Sequence, residues 1–347
     1  MSPSPLGFAI VGTGMIAGYH AQAIRQTAGA RLVAVVSRSA EKGRAFAERH
    51  GAPVVAASVA EAVARDDVHI VTVTTPSGAH LEPALESIRA NKHVIVEKPL
   101  ETTPARVDQM LAAAAERRVK LAGIFQGRFG VGAQRVKAAL DAGRFGRLVL
   151  ASAYVKWYRS AEYYTTPWKG RWGLDGGGAL MNQAIHGVDL LQWFAGLPSE
   201  VSGWMTRRVH LGIEADDTTV ASLRFPCGAL GSIEATTATW PGWSRRIELC
   251  GEAGAICLEE DRITRWEFAR AEPGDDTALA PKGDALGSGA GAAGGISIEG
   301  HLRQIQDFVD AVRGDRPPAI DGHEGRRAVA LVHAIYESAR RGVAVRL

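Results

Sequence analysis

The stretch Leu6-Gly7-Phe8-Ala9-Ile10-Val11 runs without a break into Gly12-Thr13-Gly14-Met15-Ile16-Ala17. An apolar strand that turns through G-x-G-x-x-A and opens a helix is the first crossover of a dinucleotide-binding fold. Each small residue has a task. Gly12 allows the tight turn, Gly14 lets the backbone approach a pyrophosphate, and Ala17 keeps the helix close to the strand. Met15 and Ile16 begin the helix, whose free N–H groups and positive end favour phosphate.

The pattern after this turn fixes the fold class. Through residue 125, apolar runs (7–11, 31–36, 69–74, 94–97, 119–124) alternate with helical periodicity (16–27, 39–50, 58–65, 79–90, 105–117). Continuous Val/Ile runs indicate strands buried on both faces, hence a doubly wound parallel sheet of Rossmann type over residues 1–125. After a helix near 132–142 the strands lengthen and alternate, at 148–158, 201–209, 218–225, 229–239, 247–250, 255–258 and 262–268. This predicts a second α+β domain over 126–347 with a large, open-faced, mostly antiparallel sheet. Residues 271–295, rich in Gly, Ala, Asp and Pro, read as a mobile loop, and helices follow at 298–312 and 322–341. An open sheet face needs a cover, and a second copy supplies one, so a homodimer or homotetramer is expected.

Composition narrows the partners. A net charge of +3 over 347 residues, with scattered basic residues, gives no footprint for nucleic acid or a membrane surface. No apolar run reaches the ~18 residues of a spanning helix, and Met1-Ser2-Pro3-Ser4-Pro5 does not resemble a signal peptide. Cys227, Cys250 and Cys257 are too few and too irregular for a disulfide framework or a zinc site. The expectation is a cytoplasmic, reduced, metal-free protein.

Four further segments carry chemistry. At the end of the second strand, Ser37-Arg38 offers no carboxylate to bond a ribose 2′-OH and one guanidinium to pair with a 2′-phosphate, which favours NADP(H) over NAD(H). Thr74-Thr75-Pro76 and His80 end the next strand region, placed to line the cofactor riboses; the alternative is simple helix capping. Glu97-Lys98-Pro99 ends another strand. The proline restricts Lys98 to extended backbone, and a partly desolvated lysine can exchange a proton with a substrate hydroxyl, while Glu97 pairs with it or meets the cofactor. Finally, Gly176-Gly177-Gly178 leads a mostly apolar helix on which Asn182, His186 and Asp189 share one stripe. Asp189 either sets the tautomer of His186 or satisfies neighbouring groups.

With these motifs in this order, the chain resembles the glucose–fructose oxidoreductase/inositol dehydrogenase/MocA family along essentially its whole length. The resemblance implies NAD(P)-dependent hydride transfer at one carbinol carbon of a sugar, sugar acid, inositol or related cyclic polyol. It maps the catalytic lysine onto Lys98 and the catalytic histidine onto His186. Many members carry an aspartate four residues before that histidine; here Asn182 stands there and can orient a hydroxyl but not act as a base. The segment with Tyr158, Tyr163, Trp168, Lys169 and Arg171 is similar to substrate-binding segments of sugar-active members, with ring faces for C–H surfaces and cations for hydroxyls or an anion. Two alternatives share the scaffold: a glycoside hydrolase using NAD for transient oxidation, and a non-catalytic ligand sensor.

Overall fold

Six strands, β1 (Leu6–Val11), β2 (Ala30–Val36), β3 (Val54–Ala56), β4 (Ile70–Val73), β5 (His93–Val96) and β6 (Leu121–Gly123), form one sheet in the order β3-β2-β1-β4-β5-β6. Every pairing is parallel. The crossovers are α1 (Met15–Gln26), α2 (Ala40–His50), α3 (Val59–Val63), α4 (Leu81–Arg89) and α5 (Pro104–Arg117). The order reverses between β1 and β4, and in such sheets ligands bind beyond the carboxyl ends of the strands at that point. The structure, a computed structural model, describes residues 4–279, 289–290 and 297–347.

Strand β3 escaped the sequence pattern because three residues, Val54 to Ala56, are too few to show a period. The longer strands behave as the Val/Ile runs require. Phe8, Ile10, Val33, Val35, Ile70 and Ile95 are all buried on one face or the other of a sheet covered by helices.

The second sheet has eight strands: β7 (Leu148–Lys156), β8 (Glu200–Thr206), β9 (Thr218–Arg224), β10 (Leu230–Thr236), β11 (Arg246–Gly251), β12 (Gly254–Glu259), β13 (Arg262–Phe268) and β14 (Val345–Arg346). Their order is β13-β12-β11-β7-β10-β9-β8-β14; β7 and β10 run parallel and the other neighbours antiparallel. Side chains alternate as a half-covered sheet demands. Ala151, Ala153 and Val155 of β7 point into the core with Ile233, Ala235, Ile247 and Leu249. Helix α7 (Ile185–Ala195) covers this face at β7 and β11, and α6 (Val131–Asp141) packs on β12. On the opposite face Leu150 is aligned with Leu230, and Trp204 with Val220; all four are exposed.

By backbone contacts the chain divides into two compact units, Met1–Gln126 with Ile298–Arg326, and Gly127–Ser297 with Arg327–Leu347. The sequence placed everything after residue 125 in the second domain. Instead, the helix α8 (Glu299–Arg313) returns to the first unit, where Ile305, Phe308 and Val309 join the core formed by Ala17, Ala21 and Ile24 of α1. The final helix, α9 (Gly322–Arg341), contains the boundary. Much of the 271–295 segment lies outside the described residues. Its first part is held: Asp275 accepts from Arg144 at 2.7 Å and from the Trp266 indole at 2.7 Å. Among the described residues no helix is long and apolar enough to cross a membrane.

Candidate active site

In the first unit, the glycine turn has the form its residues require. Gly12 has φ 111°, and a Cβ there would lie 2.9 Å from the Thr74 hydroxyl, so a side chain is excluded by both conformation and space. Thr74 Oγ1 donates to Val11 O at 2.8 Å and ties the end of β4 to the end of β1. Gly14 differs. A Cβ on it would meet nothing within 4 Å, and no side chain caps the α1 N-terminus that follows. Unclaimed N–H groups at a helix start facing open space are what a pyrophosphate needs. Met15 is exposed and Ile16 half-buried at this opening.

Ser37 is held locally, its hydroxyl donating to Ser39 O at 2.9 Å. Arg38 is exposed and has no ion-pair partner among the described residues. Thr75 Oγ1 donates to Ala79 O at 2.8 Å. Buried His80 brackets two segments. Its Nε2 lies 2.9 Å from Thr75 O and its Nδ1 2.9 Å from Pro99 O. Its ring is thus engaged by backbone on both sides, fixing the Thr75-Pro76 turn against the segment after Lys98, across a cis Lys98–Pro99 bond.

Glu97 turns away from any exposed role. It is buried, and its Oε1 lies 2.9 Å from His20 Nε2 and 3.5 Å from His301 Nε2. Its Oε2 accepts from the Lys98 N–H at 3.0 Å. Thr72 Oγ1 stands 2.8 Å from His20 Nδ1. A neutral His20 satisfies the whole chain, with the threonine hydroxyl donating to Nδ1 and Nε2–H donating to an ionised Glu97. Burial lowers the His20 pKa, outweighing the carboxylate beside it. Burial also works against the charge of Glu97, yet the hydrogen bonds from the two histidines overcome it and hold its pKa well below the ordinary range. The ligating atoms of His20, Glu97 and His301 lie within 4.8 Å of one another. Half-buried Lys98 follows directly at the strand end.

In the second unit, His186 sits in the first turn of α7, preceded by a π-helical turn, Ala179–Gln183, in which Ala184 N–H donates to Ala179 O at 2.9 Å. Asp216 holds the start of that turn. Its carboxylate accepts from Gly178 N–H at 2.9 Å, Leu180 N–H at 3.0 Å, Thr219 Oγ1 at 2.8 Å and Tyr336 OH at 2.6 Å. A Cβ on Gly178 would fall 1.8 Å from Asp216 O, so only glycine permits this approach. Asp189 is buried and forms a two-bond fork with Arg128, at 2.8 and 2.6 Å. Its charge is answered there.

Asn182 is oriented from behind. Its Nδ2 donates to buried Asp175, and its Oδ1 faces the Tyr163 hydroxyl at 3.4 Å. Tyr163 OH also accepts from Lys169 Nζ at 2.6 Å and from Gln183 Nε2 at 2.8 Å. Trp168 lies 4.5 Å from the Lys169 ammonium. So Asn182, Tyr163, Trp168 and Lys169 form one cluster. Tyr158 packs edge-on against Trp240 instead, and Arg171 pairs with Glu214 at 3.0 Å.

Two family models match the chain: an oxidoreductase family with an NAD-binding Rossmann fold over residues 6–125, and the GFO/IDH/MocA C-terminal domain over 133–257. The chain belongs to the GFO/IDH/MocA oxidoreductase family. It is 27% identical over 345 residues to an inositol 2-dehydrogenase of Rubrobacter xylanophilus, covering 96% of this chain and 90% of that one. It is 26% identical over 350 residues to a myo-inositol 2-dehydrogenase of Thermotoga maritima, covering 97% of each. The structure of the WlbA dehydrogenase from Bordetella pertussis, in complex with NADH and UDP-GlcNAcA, is 35% identical with a TM-score of 0.88 and 99% coverage of both chains.

Within this GFO/IDH/MocA enzyme, sequence reasoning passed over His20, His301, Asp175, Asp216 and Tyr336. His20 alone had a local signal, six residues beyond Gly14 on the helix that the glycine turn opens. His301, Asp216 and Tyr336 act on partners far away in sequence, and Asp175 on Gly170 and Asn182 across the glycine cluster.

His20 is buried and its neutral form is favoured, since burial pushes its pKa down from 6.5. The unfolded chain therefore binds more protons below that pH, and stability falls as pH drops through 6.5, by up to about 1.4 kcal/mol per pH unit for a fully neutral histidine. Glu97 adds a loss in the same direction at lower pH. Melting temperature should decline steadily from pH 7.5 to 5, with a shallower slope in His20→Gln. A flat or inverted profile contradicts this assignment.

Proposed function

We propose that this enzyme moves a hydride between a nicotinamide cofactor and a carbinol carbon of a sugar, sugar acid, inositol or related cyclic polyol. The observation that carries the reading is the open, uncapped α1 N-terminus at Gly14 in the same unit as a strand-end lysine, Lys98. The names of the inositol dehydrogenases and the ligand of the WlbA complex support a ring hydroxyl as the reacting group.

Gly12, Gly14, Met15 and Ile16 hold the pyrophosphate, and Thr74, Thr75 and Pro76 line the riboses. The bound dinucleotide supplies the hydride acceptor or donor. His186 takes the hydroxyl proton as the main base and returns it in reduction; Lys98 polarises the same oxygen and shares the transfer. Asn182, held by Asp175, accepts a substrate hydroxyl hydrogen bond without titrating. Positioned proton transfer contributes about 100- to 10,000-fold, so Lys98→Ala or His186→Ala should each lower kcat by roughly that range. The double variant should lose far less than the product, because both serve one proton. Near-normal turnover in His186→Ala contradicts its role.

NADP(H) is the favoured cofactor in this reading. Ser37 leaves no carboxylate to repel a 2′-phosphate, and exposed Arg38, unpaired among the described residues, can pair with it. The WlbA complex holds NADH, which makes the comparison informative. Fluorescence titrations should give tighter binding of NADPH than of NADH, reversed in Ser37→Asp. Tighter NADH binding by the unmodified protein removes the role given to Arg38.

We assign the open face of the eight-stranded sheet to contact with a second copy. Leu150, Trp204, Val220 and Leu230 are exposed on it, an apolar surface that a monomer seldom leaves to water. Light scattering should find a dimer or tetramer at micromolar concentration, shifted toward smaller species by Trp204→Glu. A monomer throughout contradicts it.

A further inference from the structure

We infer that Arg159 is a carboxylate-binding residue, so that the hydride-transfer reading above, on which this rests, applies to an acidic sugar in preference to its neutral counterpart.

Three arginines are buried among the described residues: Arg128, Arg159 and Arg245. Arg128 is forked to Asp189, and Arg245 is paired with Glu260 at 3.4 Å. Arg159, 5% exposed, has no carboxylate partner among the described residues. It continues β7, its own N–H donating to Thr237 O at 2.9 Å. Its Nη1 is spent on two carbonyls, Tyr158 O at 2.7 Å and Ala290 O at 3.3 Å. Its Nε is buried and has no hydrogen-bond partner among the described residues. One half of the edge that grips a planar carboxylate in a two-bond fork, the Nε–H, is therefore unclaimed among the described residues, while the guanidinium also meets the Tyr163 hydroxyl.

A buried cation without a counter-ion is unfavourable. Burial indeed lowers the pKa of this guanidinium from its ordinary value. The rings of Trp157 and Tyr163, 5.1 and 5.4 Å from Cζ, offset part of the cost through their electron-rich faces. A ligand carboxylate supplies the rest.

The surroundings fit a hydroxy acid. Lys169 lies on the same Tyr163 ring, 4.0 Å from its centroid, and brings a second positive charge. Gln183, bonded to the Tyr163 hydroxyl through Nε2, has a buried Oε1 with no donor among the described residues. The cluster thus lacks an acceptor at Arg159 and a donor at Gln183, and a sugar acid carries both. Arg171, the cation that the sequence offered for this task, is occupied by Glu214. Through Tyr163 the cluster adjoins Asn182, which places the anion subsite next to the residue that orients the reacting sugar.

The test compares matched pairs on the full-length protein with NADP+ and NAD+: glucuronate against glucose, and UDP-glucuronic acid against UDP-glucose. The acid of a pair should be favoured in kcat/KM, and Arg159→Gln should reduce the acid-to-neutral ratio by about 10- to 100-fold, the worth of a charge-assisted hydrogen bond. Arg159→Lys should restore part of it. Equal treatment of acid and neutral sugars by the unmodified protein overturns the proposal. So does an unchanged ratio in Arg159→Gln, or a preference for both UDP-sugars regardless of the carboxylate, which would assign the site to phosphate. If neutral sugars turn over without any acid preference, only the carboxylate subsite fails. If nothing turns over, the hydride-transfer reading fails, and thermal shifts with glucuronate and glucose still decide whether Arg159 binds the acid. A circular-dichroism melt of each variant shows that it is folded.

Discussion

A carboxylate buried beside Lys98 ties the first unit together. Glu97 needs donors fixed in place, because an ionised group out of water is tolerated only when hydrogen bonds surround it. They come from the helix opened by the glycine turn (His20) and from the backbone of Lys98, and His301 of α8, just over two hundred residues later, approaches to 3.5 Å. Thr72 on β4 fixes the tautomer of His20 in turn. The return of α8 to the first unit thus has both a polar and an apolar reason, His301 against Glu97 and Phe308 in the core with α1. The same carboxylate that gathers these segments holds the backbone of the residue given the proton-handling role.

The second unit uses the same device with other partners. Asp216 gathers the start of the π-helical turn, a threonine of β9 and the Tyr336 hydroxyl of α9, and this sets where α7 and His186 begin. Asp189, one turn further on, is neutralised by Arg128. Each of these carboxylates is matched by donors from within its own unit. Arg159 breaks the pattern, as a buried charge with no carboxylate match among the described residues, and that imbalance is what points to a ligand.

Much of this was legible in the sequence, for identifiable reasons. The G-x-G-x-x-A turn and the continuous Val/Ile runs act through short-range sterics and burial, so they announced the parallel sheet, and the alternating runs announced the half-covered one. The positions of Lys98 and His186 followed from motifs that lie within one element each. What stayed hidden was pairing at a distance. Nothing near residue 301 says that its imidazole meets Glu97, and nothing near Asp216 says that it accepts from Tyr336. Arg159 and Arg171 look alike in a basic, aromatic segment; only the fold gives one of them Glu214 and leaves the other without a carboxylate among the described residues. The strand Val54–Ala56 was missed because three residues cannot display a period.

Net transfer of hydride to a bound nicotinamide underlies every role proposed for these residues. The direct measurement is mass spectrometry of the cofactor after the protein and NADP+ or NAD+ are incubated with inositols, hexoses and hexuronates deuterated on their ring carbons. The account predicts that the reduced cofactor gains one deuterium from one labelled carbon of one substrate class, with the corresponding carbonyl product. Cofactor that binds but gains no label from any of them, or a sugar altered with no net reduction of cofactor, would contradict it.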